Sequence, residues 1–116
     1  MRKSLLHPVL KSVVVAFGLA LAAVHAQAAD RDAGAKVFSA QCASCHGADA
    51  KSPTDPSYPI LAGQYADYLA VALLKYQTGE RRNAIMAALA KPLSRRDIQN
   101  ISAYLQALDG PLSHRR

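Results

Sequence analysis

Cys42-Ala43-Ser44-Cys45-His46 is the stretch that decides how this 116-residue chain is read. C-x-x-C-H is the attachment sequence for c-type haem. Each thiol adds across one haem vinyl group to give a thioether. The two-residue spacing lets one backbone turn reach both vinyls on the same side of the porphyrin. His46 then lies under the ring and is placed to bind iron as the proximal ligand. Three other readings compete for the same residues. A thioredoxin-like redox pair needs a strand before it and a helix after it, whereas here a helical pattern precedes and a Gly/Pro loop follows. A structural zinc site needs four ligands, and beyond residue 28 the chain offers only Cys42, Cys45, His46, the tail residue His114 and carboxylates. A disulfide between Cys42 and Cys45 is the third reading, in an oxidising compartment.

Upstream of the motif, residues 1–28 read as a secretory signal peptide. Arg2, Lys3 and Lys11 supply the positive start, and the run from Val13 to Val24 is broken only by Gly18. Ala26-Gln27-Ala28 fits the small-x-small cleavage rule, with a cut after Ala26 as a second choice. An uncleaved anchor is the other reading, but a membrane span needs about 20 apolar residues, so no stable membrane insertion is expected after cleavage. Residues 29–116 are then one small mono-haem domain in the periplasm. That part holds 11 basic residues against 8 acidic ones, a net of +3 where the full chain has +6. Without an arginine-rich run or aromatic-basic interleaving, this balance gives no case for nucleic-acid binding. Lys36, Lys51, Lys75 and Lys91 are either a docking face for an acidic partner or solvating charges.

The spacing of apolar residues predicts an all-α domain with three main helices. The first runs from Asp32 to about Cys42, capped by Asp30 or Asp32. Gly34 inside it costs about 1 kcal/mol relative to alanine, and close approach by another helix is one use for it. Residues 47–59 form a loop with Pro53, Pro56 and Pro59. The second helix spans Gln64 to Gln77, stopped by Gly79, with Tyr65, Tyr68, Leu69, Ala72, Leu73 and Tyr76 on one broad face. The third spans Ser94 to Leu108, with a Ser94/Asp97 capping box and a stripe of Ile98, Ile101, Leu105 and Leu108.

Three groups of residues beyond the motif are candidates for the site. Met86 is the only methionine apart from Met1, and it lies 40 residues after His46. A lone methionine in an apolar stretch otherwise fills core; beside C-x-x-C-H it reads as the second axial ligand. The Pro59 carbonyl is an acceptor for the second ring N–H of His46, or Pro59 is an ordinary loop proline. Arg81 and Arg82 either pair with a haem propionate or form a solvated surface pair.

With these motifs in view, the chain resembles a class I c-type cytochrome of the short bacterial kind. It is similar to one half of the di-haem cytochrome c4 family. The matching stretches are Gly34 to Phe38, Cys42 to Gly47, Tyr58 to Gln64, Gly79 to Met86, and Leu93-Ser94 through Tyr104-Leu105. The resemblance implies that the first and last helices cross, with Gly34 and Phe38 meeting Ile101 and Tyr104. It also implies that Pro59 supplies the carbonyl to His46 and that Met86 is the distal ligand. A di-haem relative carries a second C-x-x-C-H, and this chain has one. The expected protein is therefore a one-electron carrier, not an enzyme, with one haem c bound through Cys42 and Cys45 and with redox proteins as partners. A subunit of an oxidase or dehydrogenase complex is the alternative, as is a haem sensor or enzyme if Met86 is not bound.

Overall fold

The computed structural model describes residues 27–113, and the apolar run of the expected signal peptide lies outside the described residues. The described residues form five helices and no strand: α1 (Arg31–Gln41), α2 (Ala43–His46), α3 (Ala66–Thr78), α4 (Ala84–Ala90) and α5 (Arg95–Ala107). None of them is long and apolar enough to cross a membrane.

Helix α1 starts at Asp30, whose carboxylate accepts from the Ala33 amide at 3.0 Å. Of the two aspartates that qualified as cap, the earlier one serves. Its own amide donates 2.8 Å to the Asn100 side chain, 70 residues away on α5. That bond crosses the junction at which α1 and α5 pack. Gly34 is the contact point: a Cβ there would lie 2.1 Å from the Asn100 carbonyl oxygen. One helical turn further on, the Phe38 and Tyr104 rings meet with centroids 5.7 Å apart, tilted by 50°. Around this crossing sits the core, with Phe38, Ile98, Ile101 and Leu105 almost completely buried. The expected helix crossing is therefore present.

Helix α3 begins two residues later than the periodicity predicts. Tyr65 is its N-cap, with an extended ψ of 133°, so it lies outside the helical register that its spacing suggested. At the other end Gly79 adopts φ 78°, and its N–H returns to the Tyr76 carbonyl. This is the left-handed stop that glycine supplies at least cost. Helix α4 has no counterpart in the sequence reading. Seven residues rich in alanine give no clear 3.6-residue stripe, and a helix so short is not stable alone.

The capping box of α5 forms as its sequence predicts. Ser94 Oγ accepts from the Asp97 amide at 3.0 Å, and the Asp97 carboxylate accepts from the Ser94 amide and hydroxyl at 2.9 and 2.6 Å. The Ser94 hydroxyl, then its amide, hold the Asp97 carboxyl below its ordinary range. A lowered folded value means stability that is present above the unfolded pKa and is lost as pH falls through the folded one. Ser94→Ala is expected to cost about 1 kcal/mol at neutral pH. In thermal melts of the haem-loaded protein, its deficit should shrink once the medium is acidic enough to protonate Asp97. A deficit independent of pH would show that the Asp97 charge contributes nothing to the cap.

Candidate functional site

The C-x-x-C-H stretch begins where α1 stops. Cys42 donates its amide to the Phe38 carbonyl at 2.8 Å but turns to φ −115°, which ends the helix. The next turn re-forms at once: His46 N donates to the Cys42 carbonyl at 3.1 Å, and Gly47 N to Ala43 at 2.9 Å. This turn is α2, and it carries Cys45 and His46 together. The following loop is tied back on it, because the Thr54 amide donates to the Cys45 carbonyl at 3.0 Å. Farther along, the Ala50 carbonyl accepts from both Leu61 and Ala62. These bonds bring Pro59 back to the motif.

His46 is buried, with 6% of its surface exposed. Its Nδ1 lies 2.9 Å from the Pro59 carbonyl oxygen. A carbonyl only accepts, so Nδ1 is the donor in this contact, and in the neutral ring the lone pair is then on Nε2. The ring is thereby held in one orientation by the backbone of a loop 13 residues away, with Nε2 as the nitrogen left for another partner.

His46 lines a cavity of ≈ 440 Å³ that also takes in Cys42, Cys45, Met86 and the edge of the loop at Pro59. Its wall is mostly apolar: Phe38, Ile101 and Leu105 from the helix crossing, Leu69 and Leu73 from α3, Leu89 from α4. The size and lining suit a buried organic group. Met86 reaches it because α4 starts at Asn83, whose side chain accepts from the Met86 amide at 3.0 Å. Tyr68, Leu69, Ala72, Leu73 and Tyr76 all face the cavity. Tyr65, read on the same face, does not line it, for the register reason given above.

The two arginines part company. Arg81 lines the cavity, with its guanidinium 5.0 Å from the centre of the Tyr76 ring and its amide bonded to the Lys75 carbonyl at 3.0 Å. Arg82, exposed as Arg81 is, does not line it. Neighbouring side chains in this non-helical segment point different ways, so only one of an adjacent pair enters the cavity. Of the four lysines, Lys75 is paired with Glu80 at 2.8 Å, and Lys51 reaches the Asp109 carbonyl at 3.4 Å.

The rival readings of the cysteines fare poorly. Cys42 and Cys45 are both half-buried free thiols. Burial first, and the nearby Cys45 second, push the Cys42 thiol up to about 11. A redox-active C-x-x-C pair needs the opposite, a thiol held low. The described residues contain no group of three or more His, Cys, Asp or Glu able to hold a metal, and His114 lies outside them.

Comparison with known proteins identifies the family. The family model for cytochrome c matches residues 32–109. The chain belongs to the cytochrome c family. It is 34% identical over 92 residues to cytochrome c-554(547) of Halothiobacillus neapolitanus, covering 70% of this chain and 99% of that one. It is 36% identical over 96 residues to a thiosulfate dehydrogenase electron acceptor of Stutzerimonas stutzeri, covering 78% of this chain and 44% of the relative. Among solved structures, reduced recombinant cytochrome c4 from Pseudomonas stutzeri superposes with a TM-score of 0.62 at 32% identity, over 71% of this chain and 51% of that one. The chain thus spans 32% to 44% of the length of the first curated relatives it matches. It fits one half of a di-haem cytochrome c4. The cofactor of this family is covalent haem c, and Cys42 and Cys45 have the spacing for it. The residues present also fit the group: an apolar cavity, two free thiols on its wall, and a buried imidazole whose Nδ1 is engaged by the Pro59 carbonyl.

Proposed function

We propose that this cytochrome c is a periplasmic one-electron carrier with a His/Met-ligated haem, exported by a signal peptide over residues 1–28 that is then removed. One observation carries the reading: Cys42, Cys45, His46 and Met86, spread over 45 residues, line a single apolar cavity. In this reading Cys42 and Cys45 would hold the haem covalently, and His46 and Met86 would be the side chains that bind its iron. When bound, haem c would supply reversible one-electron chemistry. The protein's part is to fix both ligands, exclude water and set the potential. Pro59 orients His46. Thioether ligation by Met86 raises the reduction potential relative to two imidazoles, and the apolar wall opposes the extra charge of ferric iron. Arg81, already at the cavity wall, is the better partner for a propionate; Arg82 keeps only a surface role. Two protein ligands to the iron, His46 and Met86, would leave no open site for substrate, and the reading is therefore a carrier and not an enzyme.

The partners are redox proteins. A dehydrogenase acting on an inorganic sulfur compound is the donor class to try first, because one relative is described as an electron acceptor for such an enzyme. The deciding measurement is the absorption spectrum of protein expressed with its export signal, oxidised and reduced. A low-spin c-type spectrum with the weak far-red iron–sulfur band is expected. A high-spin spectrum without that band would remove Met86 as a ligand and leave an open site for a sensor or an enzyme. Haem lost on denaturation would remove the thioether links.

A further inference from the structure

We propose that Gln77 is the positioning residue that holds Met86 at its station, an inference that rests on the ligand role given to Met86 above. Gln77 is the penultimate residue of α3 and does not line the cavity. Its side-chain nitrogen donates to two backbone carbonyls, Ala90 at 2.7 Å and Leu93 at 2.7 Å. Both partners only accept, so the nitrogen with its two hydrogens, and not the oxygen, is the end that faces them.

The positions of those two carbonyls give the contact its meaning. Ala90 is the last residue of α4, the seven-residue helix that carries Met86 one turn earlier. Leu93 directly precedes Ser94, the N-cap of α5. One amide therefore ties the end of α3 to the corner between α4 and α5. Ala90 and Leu93 are buried, at 0% and 9% exposure, and a buried carbonyl left without a donor is costly. The last carbonyls of any helix lack partners within it. Here the Leu93 amide gives Ala90 one bond at 3.1 Å, and Gln77 gives it a second.

Helix α4 is too short to hold its own shape. Its first turn is fixed by Asn83 and its last by Gln77, with Met86 between the two fastenings. A carrier needs its iron ligands in the same place in both oxidation states. An α4 released at its C-terminal end would let the Met86 sulfur leave more often, without any change to Met86 itself.

Gln77→Glu is the sharpest test, because it keeps the shape, removes both donors and sets a carboxylate against two carbonyls. Gln77→Leu removes the donors without adding charge, and Gln77→Lys restores a donor. Gln106→Ala is the control: it deletes a side-chain bond to the Ala66 amide at the opposite end of α3. The readout is the rate at which excess cyanide displaces the sulfur from the ferric haem protein, followed by loss of the far-red band. Losing two hydrogen bonds should speed displacement about tenfold in Gln77→Glu and Gln77→Leu. Gln77→Lys and Gln106→Ala should stay within about twofold of the parent. A parent-like rate in Gln77→Glu, or an equal acceleration in Gln106→Ala, overturns the proposal.

Hydrogen exchange at the amides of residues 86–93 gives a second readout that needs no iron–sulfur bond. If the parent protein lacks the far-red band, the ligand role of Met86 fails, and this readout alone decides what Gln77 does. Faster exchange there in Gln77→Glu than in Gln106→Ala supports the fastening of α4, and equal exchange overturns it.

Discussion

Gly34→Ala is expected to lower the unfolding free energy of the haem-loaded protein by about 3 kcal/mol, the upper end of what overpacking costs. The added Cβ would lie 2.1 Å from the Asn100 oxygen, 2.4 Å from its carbonyl carbon and 2.9 Å from the Ile101 nitrogen. All three are backbone atoms of α5, so no side chain can swing aside. The helices must separate, which loosens the Phe38–Tyr104 contact and the bond from Asp30 to Asn100. Alanine's better helix propensity returns only about 1 kcal/mol, so the clash wins. For a domain of this size the net loss corresponds to a midpoint lower by roughly 15 °C. Gly79→Ala is the contrast. Nothing lies within 4 Å of a Cβ there, so the cost is only that of a left-handed φ of 78°, about 1 kcal/mol. Equal melting of the two variants would show that the α1–α5 contact is not the tight point of the fold.

Met86→Ala is expected to change the function most while changing the fold little. Met86 is only part-buried and is not among the core residues around the helix crossing. Removing it should abolish the far-red band and let cyanide or carbon monoxide bind quickly at the vacated position. The potential should fall by a few tenths of a volt, within the span of roughly 0.8 V that axial ligands control. Spectra, ligand-binding rates and potentiometry on one preparation would check all three effects. A variant with the parent's band and potential would place the sulfur ligand elsewhere, and since Met1 is the only other methionine, it would leave the ligation reading without a residue.

The two variants mark different depths of legibility. Gly34 was readable as a point of close approach, because a glycine inside a helix needs a reason, but its partner atom on α5 was not. Asp30, Ser94, Asp97 and Gly79 were readable as helix ends, since each acts on backbone within a few residues. The broad face of α3 was read correctly from Tyr68 to Tyr76 and wrongly at Tyr65, where the chain had not yet entered the helix. Helix α4 left no periodic signal. The one hint was Asn83, a good cap residue three positions before Met86.

The sequence by itself determined the chemistry that depends on neighbours along the chain. Two thiols and an imidazole within five residues stay close to one another along the chain however distant segments pack. Caps and stops act within one turn for the same reason. Tertiary structure alone decided which distant groups meet. It selected Arg81 over Arg82 for the cavity and brought the Pro59 carbonyl to His46. It also set Gln77 beneath the helix that carries Met86. Each of those outcomes depends on how separate segments pack, and packing is set by the summed fit of many side chains, not by the few residues on either side of the one that matters.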